Sequence, residues 1–311
     1  MIDGSLTSSL VSGSLPAVDG SALVGAGSGI DTETTSDPTI SSNPSATGHL
    51  WSNKSTGEMF ICTDATAGAN IWINVGGGEL GVEPAYFYQG EIAGFTAGGH
   101  NGGNINAIDK FSLTSDANAT DSGDMTLARQ SATGQSSSTH GYSSTGNPLS
   151  NVIDKFQFAT GGNATDVGDT TAAKSDACGH SSETHGYVSG GNGANGNVIE
   201  KFQFSNDTNG GSDVGDLTAS RGELDGTQSI THGYTCGGGN GNIIEKFPYA
   251  SNANATDVGD NTAARHAGCG NFSKTHGYNN GGHTGSYSNI IDKFTFASNA
   301  NATDVGDMTS A

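Results

Sequence analysis

The sequence predicts an all-β protein in which a four-stranded unit is repeated five times, a pattern typical of a five-bladed β-propeller. One phrase, Gly-Asp-x-Thr, recurs at Gly123, Gly168, Gly215, Gly259 and Gly306. A second phrase, Ile-Asp/Glu-Lys-Phe, recurs once in each of the same repeats, at intervals of 45 to 47 residues. The composition, with 50 glycines and 32 % hydrophobic residues, suits short strands joined by many turns.

Each repeat divides into four short strands in a fixed order. The first strand is small and polar, as in residues 132–138, and a turn with Thr-His-Gly-Tyr leads into the second. In the third strand, Phe156 and Phe158 are two residues apart and share a face, while Ile153 points the other way. The fourth strand carries the Gly-Asp-x-Thr phrase. Apolar residues on both faces of the third strand predict a sheet packed between two neighbouring sheets.

The repeats begin at residue 84. They are assigned to residues 84–127, 128–172, 173–218, 219–262 and 263–311. Residues 84–90 are expected to supply the first strand of the first repeat, and the fifth sheet is expected to close the ring by packing against the first. A β-solenoid is the main alternative, although its rungs are usually shorter than these repeats.

The order of residues within a repeat resembles the kelch repeat, in which a cation, a Gly-Tyr pair and a double glycine follow one another. The matching residues are Arg129, Arg221 and Arg265 with Lys174, then Tyr142, Tyr187, Tyr234 and Tyr278, and the glycine pairs 98–99, 190–191, 237–238 and 281–282. The second repeat breaks the pair with Ser-Thr-Gly-Asn. The kelch tryptophan is absent, and Val167, Val214, Val258 and Val305 are the nearest apolar residues. The resemblance implies the kelch-like propeller fold for residues 84–311 and no particular activity.

The chain before residue 84 has a different composition and lacks the repeated phrases. Residues 1–43, rich in Gly and Ser, predict an extended segment that anchors or oligomerises the protein. Residues 44–80 predict a small β-hairpin module with three strands and a core of Trp51, Phe60, Ile61, Trp72 and Val75. The stretch SGSLPAVDGSALVGAGSG, residues 12–29, resembles segments common in bacteriophage tail-fibre and other virion proteins. The module at residues 44–78 is similar to short β-modules of phage structural proteins, especially those of cyanophages and related marine phages. A generic β-hairpin stalk is the alternative for the module.

The charge balance excludes several classes of partner. Only 11 Lys and Arg residues face 31 Asp and Glu residues, so nucleic acid and anionic membranes are not expected partners. No apolar run is long enough for a transmembrane helix, and the acidic N-terminal stretch does not read as a signal peptide. We therefore expect a protein made in the host cytoplasm. Its four cysteines, Cys62, Cys178, Cys236 and Cys269, are expected to be free thiols.

Several repeated motifs suggest chemistry but have simpler interpretations. The Asn-Ala-Thr sequons at Asn118, Asn163, Asn254 and Asn301 are interpreted as turns. Acidic pairs such as Asp121 and Asp124 offer oxygen ligands, so Ca²⁺ is possible, but strand-end turns and pairing with Lys or Arg of the next repeat are favoured. The histidines His140, His185, His232 and His276 are interpreted as turn residues that bond the backbone. We expect no cofactor and no metal site.

No constellation of unlike acid, base and nucleophile interrupts the repeats, so we expect no enzyme and no catalytic residue. The loops after the double glycines, in contrast, differ in length and content, and variable loops on a regular scaffold are typical of binding surfaces. The candidate binding residues are Asn104, Asn195, Asn240, His283 and Tyr287.

These observations together predict a virion structural protein of a bacteriophage, a fibre or spike. Its N-terminal segment would contact other virion proteins and form a homo-oligomer such as a trimer, without membrane insertion. Its propeller would bind host-surface polysaccharide or another virion protein. The alternatives are a capsid or tail decoration protein without receptor binding, and a cellular lectin-like adhesin.

Overall fold

The computed structural model describes residues 29–75, 90, 92–207 and 210–310, and this part of the chain is all-β with no helix. Its strands form six open sheets of three to five strands. Contacts within the chain divide it into two compact units, Met1–Tyr86 and Phe87–Ala311. The predicted all-β class is confirmed. No membrane-crossing helix occurs among the described residues.

The first unit holds one four-stranded sheet. Its strands, hydrogen-bonded in this order, are β1 (Thr32–Thr34), β2 (Leu50–Asn53), β3 (Met59–Asp64) and β4 (Ile71–Asn74). β1 runs parallel to β2, and the other pairs are antiparallel. The three strands predicted in the small module are confirmed. β1 adds a fourth strand from the segment predicted to be extended.

The core of this sheet differs from the predicted one at two positions. Phe60, Cys62 and Trp72 are buried, and Trp51 packs against them with its ring centroid 5.6 Å from that of Trp72. Val75, predicted as a core residue, is 53 % exposed, because it follows the end of β4. Ile61 is only partly buried because it lies on the opposite face of β3 from Phe60.

The second unit contains five sheets, one for each repeat. The first sheet is β5 (Ala93–His100), β6 (Asn104–Ser112) and β7 (Thr120–Asp124). The second is β8 (Thr133–Ser136), β9 (His140–Ser144), β10 (Ser150–Gln157) and β11 (Thr165–Ser175), extended by β14 (Asn192–Gly193). The third is β12 (Cys178–Ser181), β13 (His185–Ser189), β15 (Val198–Gln203) and β16 (Ser212–Asp216).

The fourth sheet is β17 (Asp225–Gln228), β18 (His232–Cys236), β19 (Ile243–Pro248) and β20 (Thr256–Asp260). The fifth is β21 (Cys269–Phe272), β22 (His276–Asn280), β23 (Ile290–Thr295) and β24 (Thr303–Asp307). Sheets two to five therefore contain the four strands predicted for each repeat. Residues 84–89, predicted as the missing first strand of the first sheet, lie outside the described residues.

The Gly-Asp-x-Thr phrase forms the same bulge in every sheet. Pairing between the third and fourth strands shifts register beside the glycine, as between Ile291 and Asp292 opposite Gly306. Gly306 has a φ of 149°, which other residues rarely adopt, and its N–H donates to Asp304 Oδ1 at 3.0 Å. The recurring phrase thus encodes a bulge in which the aspartate two residues before the glycine accepts a hydrogen bond from the glycine amide.

The third strand packs against sheets on both sides, as its pattern predicts. Phe156 and Phe158 of the second sheet both contact Phe95 of the first sheet, with ring centroids 5.5 and 5.0 Å away. Ile153, on the other face, is buried with Phe202 of the third sheet. Successive sheets are therefore stacked face to face, with an apolar cluster at each of the four junctions from the first sheet to the fifth. The predicted packing of the fifth sheet against the first is not seen in the described part of the chain, because all five residues of β24 are exposed.

The small first strands of successive sheets lie against one another. A Cβ placed on Gly226 would come within 2.9 Å of the carbonyl oxygen of Gly179, and Gly270 is in turn packed on Gly226. The glycines at these positions allow backbones to approach closely. This contact explains the small residues of the predicted first strand.

The four repeat cations are buried in ion pairs with carboxylates of the third strand. Arg129 pairs with Asp154 at 3.0 Å, and Lys174 pairs with Glu200 at 2.6 Å. The two other pairs are Arg221–Glu245 and Arg265–Asp292. Acidic pairs such as Asp121 and Asp124 were predicted to form strand-end turns and to pair with Lys or Arg of the next repeat. The turn is confirmed, since Asp121 Oδ1 accepts the N–H of Gly123 at 3.0 Å, but the four repeat cations pair with other carboxylates. The third strand lies beside the cation of its own repeat, whereas the phrase lies on the far side of the sheet.

Each of these carboxylates also ties two sheets together. Asp292 of the fifth sheet accepts hydrogen bonds from the amide and hydroxyl of Thr262, which follows the fourth sheet, at 2.9 and 2.7 Å. Asp154 accepts the same pair of bonds from Thr126. One buried carboxylate therefore pairs with the cation of its own repeat and accepts hydrogen bonds from the threonine that follows the preceding sheet.

One position in the second repeat is strained. Thr145 stands where the other repeats have the first glycine of the pair, and its φ of 63° lies in the left-handed region. Its side chain is fully buried and its hydroxyl has no hydrogen-bond partner. We expect Thr145→Gly to raise the free energy of unfolding by about 1 kcal/mol, because relief of this strain exceeds the entropy cost of glycine.

Chemical denaturation measures this change. The control is Thr139→Gly, an exposed threonine in the neighbouring turn, which should be neutral or mildly destabilising. Equal or lower stability of Thr145→Gly would contradict the inferred strain.

Candidate functional site

Three of the five candidate binding residues meet at one place, the junction between the fourth and fifth repeats. Asn240 lies in the loop after β18, and His283 and Tyr287 lie in the loop after β22. They are brought together by His266, which the sequence analysis did not single out. The name loop cluster is used here for Asn240, His266, His283, Tyr287 and the adjoining Glu223.

Short contacts connect the members of the loop cluster. His266 Nδ1 donates to Asn240 Oδ1 at 3.0 Å, and His266 Nε2 lies 3.4 Å from Glu223 Oε2. The His266 and His283 rings have centroids 5.4 Å apart. Tyr287 meets His283 edge to face, also at 5.4 Å. The result is a continuous row of one carboxamide, two imidazoles and one phenol ring.

The backbone holds this row in position. His283 donates its N–H to the carbonyl oxygen of His266 at 2.9 Å, and His266 donates back at 3.3 Å. Ser288 N–H donates to the carbonyl oxygen of Gly282 at 2.9 Å, which closes the loop that carries Tyr287. Arg265, the residue before His266, is anchored in the buried ion pair with Asp292. The loop cluster is thus tied directly to the core.

The loop cluster combines exposure with varied chemistry. Tyr287 is 76 % exposed, although a tyrosine ring has a large apolar surface. Asn240 is also exposed, and the two histidines are half-buried. Aromatic faces beside paired donors and acceptors can contact the C–H face of a sugar and bond its hydroxyl groups. This arrangement is suited to binding a small polar ligand.

The other two candidate residues lie elsewhere. Asn104 donates its side-chain N–H to the carbonyl oxygen of Asn147 at 2.9 Å, at the junction of the first and second repeats. Asn195 is exposed in the loop before β15, with a φ of 58°. Neither belongs to the loop cluster. Asn104 is the first residue of β6, and Asn195 lies in a turn at the corresponding position of the third repeat.

His266 and Glu223 escaped the sequence analysis for a simple reason. The variable loops lie after the double glycines, whereas His266 and Glu223 lie one and two residues after the repeat cations Arg265 and Arg221. His266 stands at the position of Gln130 in the second repeat, and each pairs with the glycine-pair loop of its own sheet.

Two buried groups in the first strands have perturbed titration. Burial raises the pKa of Asp225 to about 7 and lowers the pKa of His180 to about 4. Such shifts often mark functional sites. Here, however, the two residues are only 4 % and 1 % exposed, so neither reaches solvent. We assign them to the packing of the first strands.

The repeated histidines have a local role that differs in detail from the prediction. The His140 ring lies 2.8 Å from the hydroxyl of Thr139, and its backbone N–H donates to Ser137 Oγ at 2.9 Å. The ring bonds a neighbouring side chain, whereas a bond to the backbone was expected. Burial lowers the pKa of His140, and Lys155 lowers it further. In the described residues, no group of three or more His, Cys, Asp or Glu side chains is placed to bind a metal.

Three of the four sequon asparagines connect neighbouring sheets, a role that the interpretation as simple turns did not include. Asn301 Oδ1 of the fifth sheet accepts the N–H of Asp260 in the fourth sheet at 3.1 Å. Asn254 and Asn163 make the same bond to Asp216 and Asp124. All four cysteines are free, and only Cys269 is exposed.

Comparisons with known proteins give no family for this chain. No protein-family model matches it, and no curated protein matches its sequence.

Proposed function

We propose that this chain is a binding protein whose loop cluster recognises neutral carbohydrate, and that it serves as a fibre or spike of a bacteriophage virion. The observation that carries the binding part is the exposed ring of Tyr287 in contact with His283, beside the carboxamide of Asn240. Rigid aromatic side chains give contact area at low entropic cost, and the fixed loop backbone reduces the cost of ordering.

The charge of the protein favours a neutral ligand. The chain carries a formal net charge of −20, and the loop cluster includes the carboxylate of Glu223. An acidic polysaccharide would be repelled by this field, whereas a neutral sugar would not. The ligand class proposed here is a neutral oligosaccharide with hydroxyl groups on one face and C–H groups on the other.

We further propose that the five sheets are kelch-like propeller blades arranged around the line of first strands in an open arc, with the outer faces of the first and fifth blades left uncovered within one chain. The stacking of neighbouring sheets and the contacts among Gly179, Gly226 and Gly270 support this arrangement. The variable loops would then lie together at one side of the array, where a receptor surface could contact several of them. The virion assignment rests on the resemblance of the N-terminal segments to phage fibre proteins.

Two other functions remain as alternatives. A capsid or tail decoration protein would use the same scaffold without a carbohydrate ligand, and a cellular lectin-like adhesin would bind sugar outside a virion. Measured carbohydrate binding would distinguish the proposed fibre from a decoration protein. The genes that flank the coding sequence would distinguish it from a cellular adhesin, because a fibre gene is expected among other virion genes.

The binding proposal predicts a specific effect of removing one ring. Tyr287→Ala should weaken binding to neutral oligosaccharides by about ten-fold, roughly the worth of one aromatic contact with its associated polar bonds. The measurement is a glycan array followed by titration calorimetry on the best ligand. His283→Ala should weaken binding as well, because it removes the ring that supports Tyr287.

The chain offers a matched control for this experiment. Leu149 occupies the position of Tyr287 in the second repeat, before the same Ser-Asn pair, and is 57 % exposed. Leu149→Ala should leave binding unchanged. Equal binding by the native protein and Tyr287→Ala would contradict the proposal, and so would the absence of any glycan ligand, which would favour the decoration protein.

A further inference from the structure

The five stacked sheets leave two unlike end faces, one on the first sheet and one on the fifth. The junctions between neighbouring sheets show what covers such a face. At the junction of the fourth and fifth sheets, Tyr234 stacks on Phe296 with centroids 4.8 Å apart and lies 5.5 Å from Phe294. Val258 is buried in the same cluster at 8 % exposure.

Hydrogen bonds complete each junction. Ala302 N–H of the fifth sheet donates to the carbonyl oxygen of Asp260 at 2.8 Å, and Asn301 accepts from the N–H of the same residue. Ala255 and Ala164 donate in the same way to Asp216 and Asp124. Aromatic stacking, a buried valine and this pair of backbone contacts therefore form one recurring interface.

The end face of the fifth sheet presents the receiving half of this interface, uncovered. Val305 is 50 % exposed, although its equivalents Val167 and Val258 are buried. All five residues of β24 are exposed. A Cβ on Gly306 would meet nothing within 4 Å, whereas its equivalent Gly259 is packed on Ala300. Met308 is 38 % exposed, although Leu217 at the same position of the third repeat is buried.

The end face of the first sheet presents the other half. Phe111 and Leu113 stand where the fifth sheet has Phe294 and Phe296, and Leu113 is 48 % exposed. Asn118 and Ala119 stand where the fifth sheet has Asn301 and Ala302, with the same spacing. Ala119 is exposed, whereas Ala302 is buried at the junction. Each element that makes a junction is therefore present on one of the two ends.

We propose that the first-sheet end of one copy of this protein docks on the fifth-sheet end of a second copy, head to tail. Phe111 and Leu113 would pack on Tyr278 and Val305 of the neighbouring copy, and Ala119 N–H would donate to the carbonyl oxygen of its Asp307. A second copy is favoured over closure within one chain, because both faces of the same chain are exposed in the structure.

This contact joins two different surfaces, so it produces a ring if the rotation closes and a filament if it does not. It would also place several loop clusters on one assembly, which increases the avidity for a repeated carbohydrate. The inference does not depend on carbohydrate binding. Failure of one proposal leaves the other intact.

The test uses the full chain with two double variants. Phe111→Asp with Leu113→Asp disables the first-sheet end, and Val305→Asp with Met308→Asp disables the fifth-sheet end. The native protein should gain mass with concentration in light scattering, more strongly at high salt because the copies are acidic. Each variant alone should lose this gain.

Mixing supplies the decisive comparison. The two variants keep opposite intact ends, so a tagged first-end variant should capture the fifth-end variant about ten-fold more than it captures an untagged copy of itself. Oligomerisation through the N-terminal segment would capture both equally. Equal capture, or a native mass that does not change with concentration, would overturn the proposal. Circular dichroism of both variants checks that they are folded.

Discussion

Replacing Arg265 with methionine should lower the free energy of unfolding by about 3–5 kcal/mol, the cost of leaving a buried charge without its partner. Arg265 and Asp292 are both fully buried, with 2.7 Å between Nη2 and Oδ2. Arg265 also donates to the carbonyl oxygen of Asn279 at 2.9 Å. Methionine fills much of the same volume but satisfies neither group. Chemical denaturation of Arg265→Met measures the loss.

Two controls test the physical reason. Asp207 forms an ion pair with Lys155 at 2.6 Å but is 55 % exposed, so Asp207→Asn should cost about 0–1 kcal/mol. The double variant Arg265→Met with Asp292→Asn should lose less than Arg265→Met alone, because residue 292 then carries no unpaired charge and its amide oxygen can still accept a hydrogen bond from Thr262. Equal losses for the single and double variants would contradict this explanation.

Replacing Gly259 with alanine should lower the free energy of unfolding by about 2–4 kcal/mol, from a backbone conformation that alanine avoids and from overlap with the next sheet. Its φ is 153°, and a Cβ would lie 2.6 Å from the carbonyl carbon of Ala300 and 2.9 Å from the N atom of Asn301. Both neighbours are backbone atoms of the fifth sheet. They can move only if the junction opens.

The fifth repeat provides a matched control for this variant. Gly306 has nearly the same φ, 149°, but nothing lies within 4 Å of its Cβ position. Gly306→Ala should therefore cost only the conformational part, about 1 kcal/mol in dilute protein. Thermal or chemical denaturation of the two variants isolates the cost of the contact between sheets. Equal losses would mean that the junction at Gly259 is not packed as closely as the structure shows.

Arg265 and Gly259 both stabilise the contact between neighbouring sheets. Each junction between sheets combines a buried carboxylate, an aromatic stack and a glycine bulge, and each appears once per repeat. The effects of changing one junction should therefore be similar from repeat to repeat. The exceptions should lie at the ends, where Phe111 and Val305 have no neighbouring sheet in the described chain.

Much of the local structure followed from the sequence alone. The alternation around Ile153, Phe156 and Phe158 predicts a strand with two apolar faces, because side chains on a strand alternate. The recurring phrases predict the repeats and their turns, because glycine and Asx residues favour turns through their own backbone and that of the next few residues. Of the candidate site, Asn240, His283 and Tyr287 followed from loop variability.

The tertiary structure decided which distant groups became partners. Both Asp154 and Asp166 follow Arg129 in the same repeat, but only the strand order places Asp154 beside its guanidinium group. His266 joins the candidate site because the fifth repeat folds back on its own loop. The exposed faces at Leu113 and Val305 likewise depend on how the sheets stack on one another. Local patterns encode strands and turns, whereas charge pairing, the loop cluster and the end faces arise from distances that only the folded chain sets.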